Sequence, residues 1–430
     1  MSSPTKQPDA HSDPIYKQRV VVTGMSAITP VGNTLDETWD NLIAGKSGVD
    51  KITLIDVSRY SCKIGAEIKG FDAYEHIPRK KGRHMAFASQ IAVIAAGQAL
   101  EDSGLSLESE QRDDIGVIIG TAGGSTIEET EKATKALMSS ANGRMSPFQI
   151  LRFWPNMPAY FIAVEFELRG YNSTVCTACA SGTQALGDAF KVVQRGEAEI
   201  MLAGGTESMI AESPLAGFTA MKALTSSYNE QPEKASRPFD ADREGFVPSQ
   251  GTAMMILESL DHARKRGAKI YAEVLGIGVS NDAYHMIAPN PQGRGAALAM
   301  QRALDDARLS MAEIDYINAH APSTPLGDKS ETYAIKRVFG ERAYDIPISS
   351  TKSMVGHMMA ATGALEAAVC VQTINSNLIH PTINYETLDP ECDLDYVPNT
   401  AREASINIAM SNSFGLGGQN ACLVLGSAPS

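Results

Sequence analysis

The chain has 430 residues, of which 43% are hydrophobic and 20% are charged, and this composition predicts a globular protein of one large domain or two fused domains. The formal net charge of -13 opposes binding to nucleic acid or to an anionic membrane surface. Six cysteines without the spacing of a disulfide framework predict free thiols in the cytoplasm, and no apolar run is long enough to span a membrane.

Residues 1–17 are polar and rich in Pro, Ser and Asp, which predicts a flexible N-terminal tail. Beyond them, short apolar runs alternate with stretches of helical periodicity, as expected of an α/β protein. The first run, Arg19–Gly24, is predicted to be a strand buried on both faces in a parallel sheet. Further strands are predicted at 115–120, 199–204, 254–258, 270–275, 314–319, 406–410 and 421–425, and helices at 83–103, 181–195, 294–307, 330–339 and 363–375.

The pattern of elements divides the chain into two similar halves, residues 18–266 and 267–430. Each half begins with a strand, continues through a long helix and reaches Gly-containing turns in which polar and reactive residues cluster. One stretch, Ser226–Gln250, is rich in Pro, Asp, Arg and Gly and is predicted to be a long functional loop that reaches from the surface to the active site.

The strongest local signal is the sequence TACASG around Cys179. Small residues on both sides of the cysteine allow a sharp strand-to-helix turn that exposes its sulfur. A thiol at a helix N-terminus is expected to have a lowered pKa and to be a good nucleophile. The competing interpretation is a small buried hydrophobic residue. A metal or redox role for Cys176 and Cys179 is disfavoured because the sequence holds no second C-x-x-C and no nearby His.

Two histidines stand in comparable settings, His320 in INAHAPSTP and His357 in STKSMVGHM. A single His after a strand is more often structural than catalytic. The coincidence of both histidines with the Cys179 motif favours catalysis by all three side chains.

These motifs, together with SNSFGLGGQNA at 411–421 and SRPFDADREGF at 236–246, resemble those of β-ketoacyl-[acyl-carrier-protein] synthases, most closely the elongating type II, from about Arg19 to Leu425. The resemblance implies a thiolase-like α/β fold, in which two similar halves form five layers in the order αβαβα. It also implies a dimer whose subunits meet along strands near the Cys179 turn. No metal or permanently bound cofactor is implied, because acyl carrier protein delivers its own phosphopantetheine.

The same resemblance assigns roles to individual residues. Cys179 takes the acyl group, and His320 and His357 stabilise the enolate that forms when a malonyl thioester loses carbon dioxide. Lys352 is expected to pair with Glu331 in a supporting network, and the N–H groups of Cys179 and Phe414 to form the oxyanion hole. The remaining implied residues are the rest of the gating loop (Gly415, Gly417, Gly418), the supporting acid Asp328, the substrate contacts (Thr324, Phe246, Ile127, Trp154) and the carrier-docking cations (Lys80, Lys81, Arg83, Arg144).

The sequence departs from the family pattern at several positions. Pro322 replaces a hydroxyl residue after His320, Gln184 stands where a His is frequent, and Trp154 replaces smaller residues. These departures motivate the alternative of a ketosynthase for a specialised pathway, paired with a chain-length-factor subunit. A thiolase, a non-catalytic chain-length factor, and a phosphate-binding role for Gly120–Gly124 are more remote alternatives.

Overall fold

The computed structural model describes residues 18–107, 112–140 and 142–429; the predicted tail at 1–17 lies outside this range. The strands are β1 Val20–Ile28, β2 Asp50–Lys51, β3 Ile64–Gly65, β4 Ile115–Gly120, β5 Asn172–Val175, β6 Ile200–Ser208, β7 Gln250–Ser259, β8 Ala272–Asn281, β9 Tyr316–Asn318, β10 Ile348–Ser349, β11 Leu378–Ile379, β12 Arg402–Glu403, β13 Ile408–Gly415 and β14 Gln419–Ser427. The helices are α1 Leu35–Ile43, α2 Arg79–Gly82, α3 Phe87–Ser103, α4 Thr126–Ser139, α5 Ile150–Phe153, α6 Met157–Phe166, α7 Ser181–Gln194, α8 Glu212–Ala220, α9 Leu260–Lys265, α10 Arg294–Ala307, α11 Pro325–Phe339, α12 Lys352–Val355 and α13 Ala360–Ser376.

The main sheet repeats one five-stranded pattern twice. Its order is β10-β9-β13-β14-β8-β1-β7-β6-β4-β5. If the five strands of each half are numbered in chain order, their order from the centre of the sheet to its edge is first, fifth, fourth, second, third in both halves. The two halves join where β1 and β8 pair antiparallel, with Val20 opposite Val274. The predicted boundary near residue 266 falls between α9 and β8.

Successive residues of the strands point into different cores, as the two-residue period of a strand requires. In β6, Met201 and Ala203 join a central core that also contains α7, α13 and strands of both halves. Their neighbour Leu202 faces α3 and α6 on the outer side. In β14, Leu423 joins the central core and Val424 faces α10 and α11. The predicted five layers in the order αβαβα are therefore confirmed.

Small residues let the two central helices approach closely. A Cβ atom added at Gly182 of α7 would lie 2.3 Å from the carbonyl oxygen of Ala360, the first residue of α13. One added at Gly205 of β6 would lie 2.5 Å from the same oxygen. Side chains at these positions are excluded, and the N-terminal ends of α7 and α13 are held together. The turns that precede these helices carry Cys179 and His357.

Two further predictions have clear outcomes. The parallel environment expected for 19–24 is wrong, because β1 pairs antiparallel with both β7 and β8. Burial on both faces comes from helix layers above and below the sheet, and these layers bury parallel and antiparallel strands alike. The loop predicted at Ser226–Gln250 is confirmed, since it contains only a short 3-10 turn, Pro232–Lys234, before β7 begins. Among the described helices, none has the length and apolar character needed to cross a membrane.

Candidate active site

Cys179 lies in the predicted strand–turn–helix connection. The chain leaves β5, passes through a 3-10 turn, Ala178–Ala180, and enters α7 at Ser181. Ala178 has φ of 50°, a left-handed conformation that a small residue tolerates best. The Ser181 hydroxyl accepts a hydrogen bond from Thr177 N at 2.8 Å and donates to Ala178 O at 2.6 Å. These bonds fix the sharp turn that places the thiol at the start of α7.

Three side chains from distant parts of the sequence meet at this turn. Cys179 Sγ and one ring nitrogen from each of His320 and His357 all lie within 4.8 Å of one another. His320 follows β9, and His357 lies between α12 and α13. Their ring centroids are 5.4 Å apart, and all three residues are buried. The structure thus brings together the three residues that the sequence singled out.

The prediction of a lowered thiol pKa is wrong for the unacylated protein. Burial raises the pKa of Cys179 above its ordinary value. A hydrogen bond from the Leu416 backbone and the charge of Lys352 act in the opposite direction without overcoming burial. The Cys179 side chain is therefore a thiol at neutral pH.

Both histidines are neutral at neutral pH. Burial lowers the pKa of His320 and of His357 well below the ordinary value, and the charge of Lys352 lowers both further. His357 Nδ1 lies 3.1 Å from the hydroxyl of Thr362, whereas its buried Nε2 has no hydrogen-bond partner among the described residues. This arrangement fits the tautomer in which Thr362 donates to Nδ1 and the proton sits on Nε2.

Lys352 has a different partner from the one predicted. Its ammonium donates to Glu366 of α13 at 2.5 Å, and both side chains are fully buried. Glu331 instead accepts hydrogen bonds from His320 N at 2.9 Å, Ala321 N at 2.7 Å and Asn412 Nδ2 at 3.1 Å. Burial raises the pKa of Glu331 to about 7 and that of Glu366 to about 8. Glu331 therefore holds the backbone of His320, while Glu366 holds the lysine.

Replacing Lys352 by Met is expected to lower the free energy of unfolding by about 3 kcal/mol, because it leaves a buried carboxyl without its partner. The double variant Lys352→Met/Glu366→Leu is expected to regain most of this loss. Urea unfolding measures the free energy of unfolding of the single and the double variant. The control is Lys51→Met, which breaks the exposed pair with Glu230 and should cost less than about 1 kcal/mol. A single variant as stable as the parent would show that the buried pair contributes nothing.

The gating loop contains a second correction. The backbone groups that lower the pKa of the Cys179 thiol are those of Leu416 and of Cys179 itself, and Phe414 is not among them. Phe414 is the last residue but one of β13, and its ring centroid lies 5.9 Å from that of His320. Gly417 and Gly418 have φ of 83° and 80°, conformations that favour glycine. The backbone N–H groups that act on the thiol are thus those of Cys179 and Leu416.

The turn after His320 is fixed by two predicted residues. Asp328 is fully buried and accepts hydrogen bonds from Phe239 N at 2.8 Å and Thr324 N at 3.1 Å. Burial raises the pKa of Asp328 to about 6. The Thr324 hydroxyl accepts from Gly327 N at 3.2 Å and caps α11. The proton of the Thr324 hydroxyl is not used in this bond and can be donated to a substrate.

The other predicted substrate contacts divide into two groups. Phe246 is buried, and its ring centroid lies 5.5 Å from that of His357, so it borders the reactive cluster. Ile127 and Trp154 are 38% and 53% exposed, on the outside of this chain. Their assignment to the acyl pocket stays a prediction.

Glu207 is a buried acid near the thiol that the sequence analysis missed. It is the last residue but one of β6, and its Oε2 accepts a hydrogen bond from Ala122 N at 2.6 Å. The backbone N–H groups of Ala360 and Gly124 also face its carboxyl group. Burial raises the pKa of Glu207 to about 8. One acid thus connects the turn after β4 with the start of α13, and its only sequence signal is a carboxylate in an otherwise apolar and Gly-rich strand.

Comparisons with known proteins agree over nearly the whole chain. Residues 17–263 match the family model described as beta-ketoacyl synthase, N-terminal domain, and residues 271–386 match the corresponding C-terminal domain. A Staphylococcus aureus protein named 3-oxoacyl-[acyl-carrier-protein] synthase 2 is 46% identical over 407 residues, which cover 95% of this chain and 98% of that protein.

Solved structures give the same result. The ishigamide ketosynthase/chain length factor superposes with a TM-score of 0.89 at 35% identity, covering 96% of this chain and all of that one. A type II polyketide ketosynthase in complex with its acyl-carrier protein has a TM-score of 0.87 at 34% identity, again covering 96% of this chain and all of that one. The chain therefore belongs to the β-ketoacyl synthase family.

Proposed function

We propose that this protein is a β-ketoacyl-[acyl-carrier-protein] synthase, an acyltransferase that extends an acyl chain by two carbons in fatty acid or type II polyketide synthesis. The observation that carries the proposal is the meeting of Cys179, His320 and His357 within 4.8 Å in a buried pocket. A thiol nucleophile beside two neutral imidazoles suits acyl transfer followed by enolate chemistry.

In the first half-reaction Cys179 attacks the thioester of an acyl carrier protein. The thiol proton moves to neutral His320 as the sulfur–carbon bond forms, and from His320 to the carrier thiolate as it leaves. The N–H groups of Cys179 and Leu416 face the oxygen of the tetrahedral intermediate. The product is an acyl-Cys179 thioester.

In the second half-reaction a malonyl thioester loses carbon dioxide. The electron pair of the broken carbon–carbon bond forms an enolate, whose oxygen accepts hydrogen bonds from Nε2 of His320 and of His357. The unpartnered Nε2 of His357 is a donor ready for this oxygen. The enolate carbon then attacks the acyl group, and the Cys179 thiolate leaves and takes up one proton from solvent. The released product is a β-ketoacyl thioester.

The acyl carrier protein is expected to dock on a basic surface formed by α2 and its neighbours. Lys80 and Arg83 are exposed, and the ring of His84 packs on Phe148 with centroids 4.0 Å apart. That contact brings the segment that carries exposed Arg144 beside α2. Lys81 is less available to a carrier protein, because it forms an ion pair with Glu165 at 2.8 Å. Lys80 has no partner among the described residues and is the best candidate for an acidic carrier helix.

The double variant Lys80→Glu/Arg83→Glu is expected to raise KM for acyl carrier protein about tenfold with little change in kcat, because it reverses the charge that steers docking. Activity with a short acyl-pantetheine thioester, which lacks the carrier protein, should be unchanged. Lys265→Glu, at the exposed end of α9, is the control. Equal losses with both substrates would place the defect in the pocket and not at the docking surface.

Two subunits are expected to join through β5, since it is the edge strand of the ten-stranded sheet. Apolar side chains beside it are exposed, among them Tyr160, Val164 and Tyr171. A homodimer is the simplest assembly. The departures at Pro322, Gln184 and Trp154 keep the alternative of a heterodimer with a chain-length-factor subunit. Sedimentation of the chain with and without such a subunit distinguishes the two, and we place either form in the cytoplasm.

The experiment that tests the function combines the purified chain with one acyl carrier protein loaded with an acyl group and another loaded with malonate. Mass spectrometry should detect a β-ketoacyl carrier protein two carbons longer than the acyl substrate, together with release of carbon dioxide. Turnover of acetyl-coenzyme A alone, without malonyl carrier protein, would indicate a thiolase. Absence of both products, with or without a partner subunit, would refute the proposal.

A further inference from the structure

The active-site cluster offers the ligand types that zinc prefers. A thiolate sulfur binds Zn²⁺ at about 2.3 Å and an imidazole nitrogen at about 2.0–2.1 Å, so neighbouring ligands of a tetrahedral ion are roughly 3.3–3.8 Å apart. Cys179 Sγ and the ring nitrogens of His320 and His357 already lie within 4.8 Å of one another. Side-chain shifts of about 1 Å bring them to zinc-binding distances.

A second observation points into the same space. His357 Nε2 is buried and has no hydrogen-bond partner among the described residues, while the other nitrogen of the ring lies 3.1 Å from the Thr362 hydroxyl. Histidines that bind metals are usually oriented in this way, by a hydrogen bond at the nitrogen that does not bind. Because Thr362 engages Nδ1, Nε2 is the nitrogen left to bind an ion; the ring proton then lies on Nδ1, and the Thr362 hydroxyl accepts it.

The one ammonium that the described residues place beside the cluster is already paired. Lys352 faces the cluster, but its ammonium is paired with Glu366 of α13. Two further buried acids interact with the same groups, Glu331 of α11 with Lys352 and Glu207 of β6 with Cys179. The Lys352 ammonium is therefore engaged by Glu366.

We propose that Cys179, His320 and His357 form a Zn²⁺-binding site, and that zinc competes there with acyl groups for the thiol. The sulfur–zinc bond replaces the sulfur–hydrogen bond, the released proton goes to solvent, and water occupies the fourth position. Zinc acts as an inhibitor, because it engages the sulfur and both imidazoles at once. It would bind whether or not the thiol accepts acyl groups from a carrier protein.

The test is calorimetric titration of the full-length protein with ZnCl₂ in a non-chelating buffer with a phosphine reductant. One zinc per chain is expected to bind, and the binding should disappear in Cys179→Ala. Affinity should fall about tenfold or more in His320→Asn and in His357→Asn. Cobalt in place of zinc should give a thiolate-to-metal absorption band in the wild type and none in Cys179→Ala. Magnesium, which prefers oxygen ligands, should not bind at this site.

The control variant is Cys176→Ala, which removes the exposed neighbouring thiol and should bind zinc as the wild type does. Protein whose Cys179 has been alkylated with iodoacetamide should not bind, which tests the site without a substitution. Equal affinity in wild type and Cys179→Ala, loss of binding in Cys176→Ala, or no binding at all would overturn the proposal. Because these measurements use no carrier protein, they stand apart from the outcome of the condensation assay.

Discussion

Cys179→Ala should no longer take up an acyl group and should lose condensation activity by roughly 10⁴-fold or more. The reason is chemical, because every product chain must pass through a thioester on this sulfur. Alanine fits the site, since the residue is buried in a small-residue turn whose hydrogen bonds come from Ser181 and the backbone. The fold is therefore expected to survive the change.

The measurement is intact mass spectrometry after incubation with a series of acyl carrier proteins of increasing chain length. Wild type should gain the mass of one acyl group per chain, and the longest group accepted measures the acyl pocket. Cys176→Ala, which removes the exposed thiol three residues earlier, should acylate normally. If Cys179→Ala still gained the acyl mass, the nucleophile would be another residue.

Much of the fold was predictable from local patterns. Eight strands with four or more apolar or small residues were predicted, because a buried run of this kind leaves a clear signal. The strands β5, with sequence NSTV, and β10, with only two residues, leave no such signal and were missed. Both lie at the ends of the sheet, so their position depends on pairing with one neighbour and not on their own side chains.

The site was predictable at the level of residue type and less so at the level of contacts. Cys179, His320 and His357 stand in distinctive motifs, and the structure brings them together. The partner of Lys352 was not predictable, because Glu331 and Glu366 are both buried acids close enough to interact with it. Which acid forms the ion pair depends on how α11 and α13 pack, and that packing has no local signal.

The same limit explains the two remaining corrections. A helix N-terminus near Cys179 is visible in the sequence, but the degree of burial that raises its pKa is not. Likewise the spacing of FGLGG does not show which N–H of the loop reaches the sulfur. β13 ends at Gly415, and Leu416 is the first residue free of the strand ladder. Its N–H is therefore released toward Cys179, while Phe414 remains in the sheet.

His357→Ala and His320→Ala should separate the two half-reactions. Each removes one hydrogen-bond donor to the enolate, and loss of one such donor typically costs about 10²–10³-fold. Release of carbon dioxide from malonyl carrier protein should fall by that factor. Acylation of Cys179 should persist in His357→Ala, because His320 still accepts the thiol proton and the N–H groups of Cys179 and Leu416 are untouched. In His320→Ala it should persist at a lower rate, because the thiol proton can still pass directly to the departing carrier thiolate.

The structure offers a sharper version of this test at His357. Its Nε2 is the unpartnered atom, so His357→Gln, whose amide nitrogen reaches nearly the same position, should recover part of the decarboxylation lost in His357→Ala. His76→Ala, an exposed histidine outside the site, is the control. Carbon dioxide release at the wild-type rate from either alanine variant would remove that histidine from the enolate site. Loss of acylation and decarboxylation together would instead assign it to the first half-reaction, because a donor used only by the enolate cannot affect uptake of the acyl group.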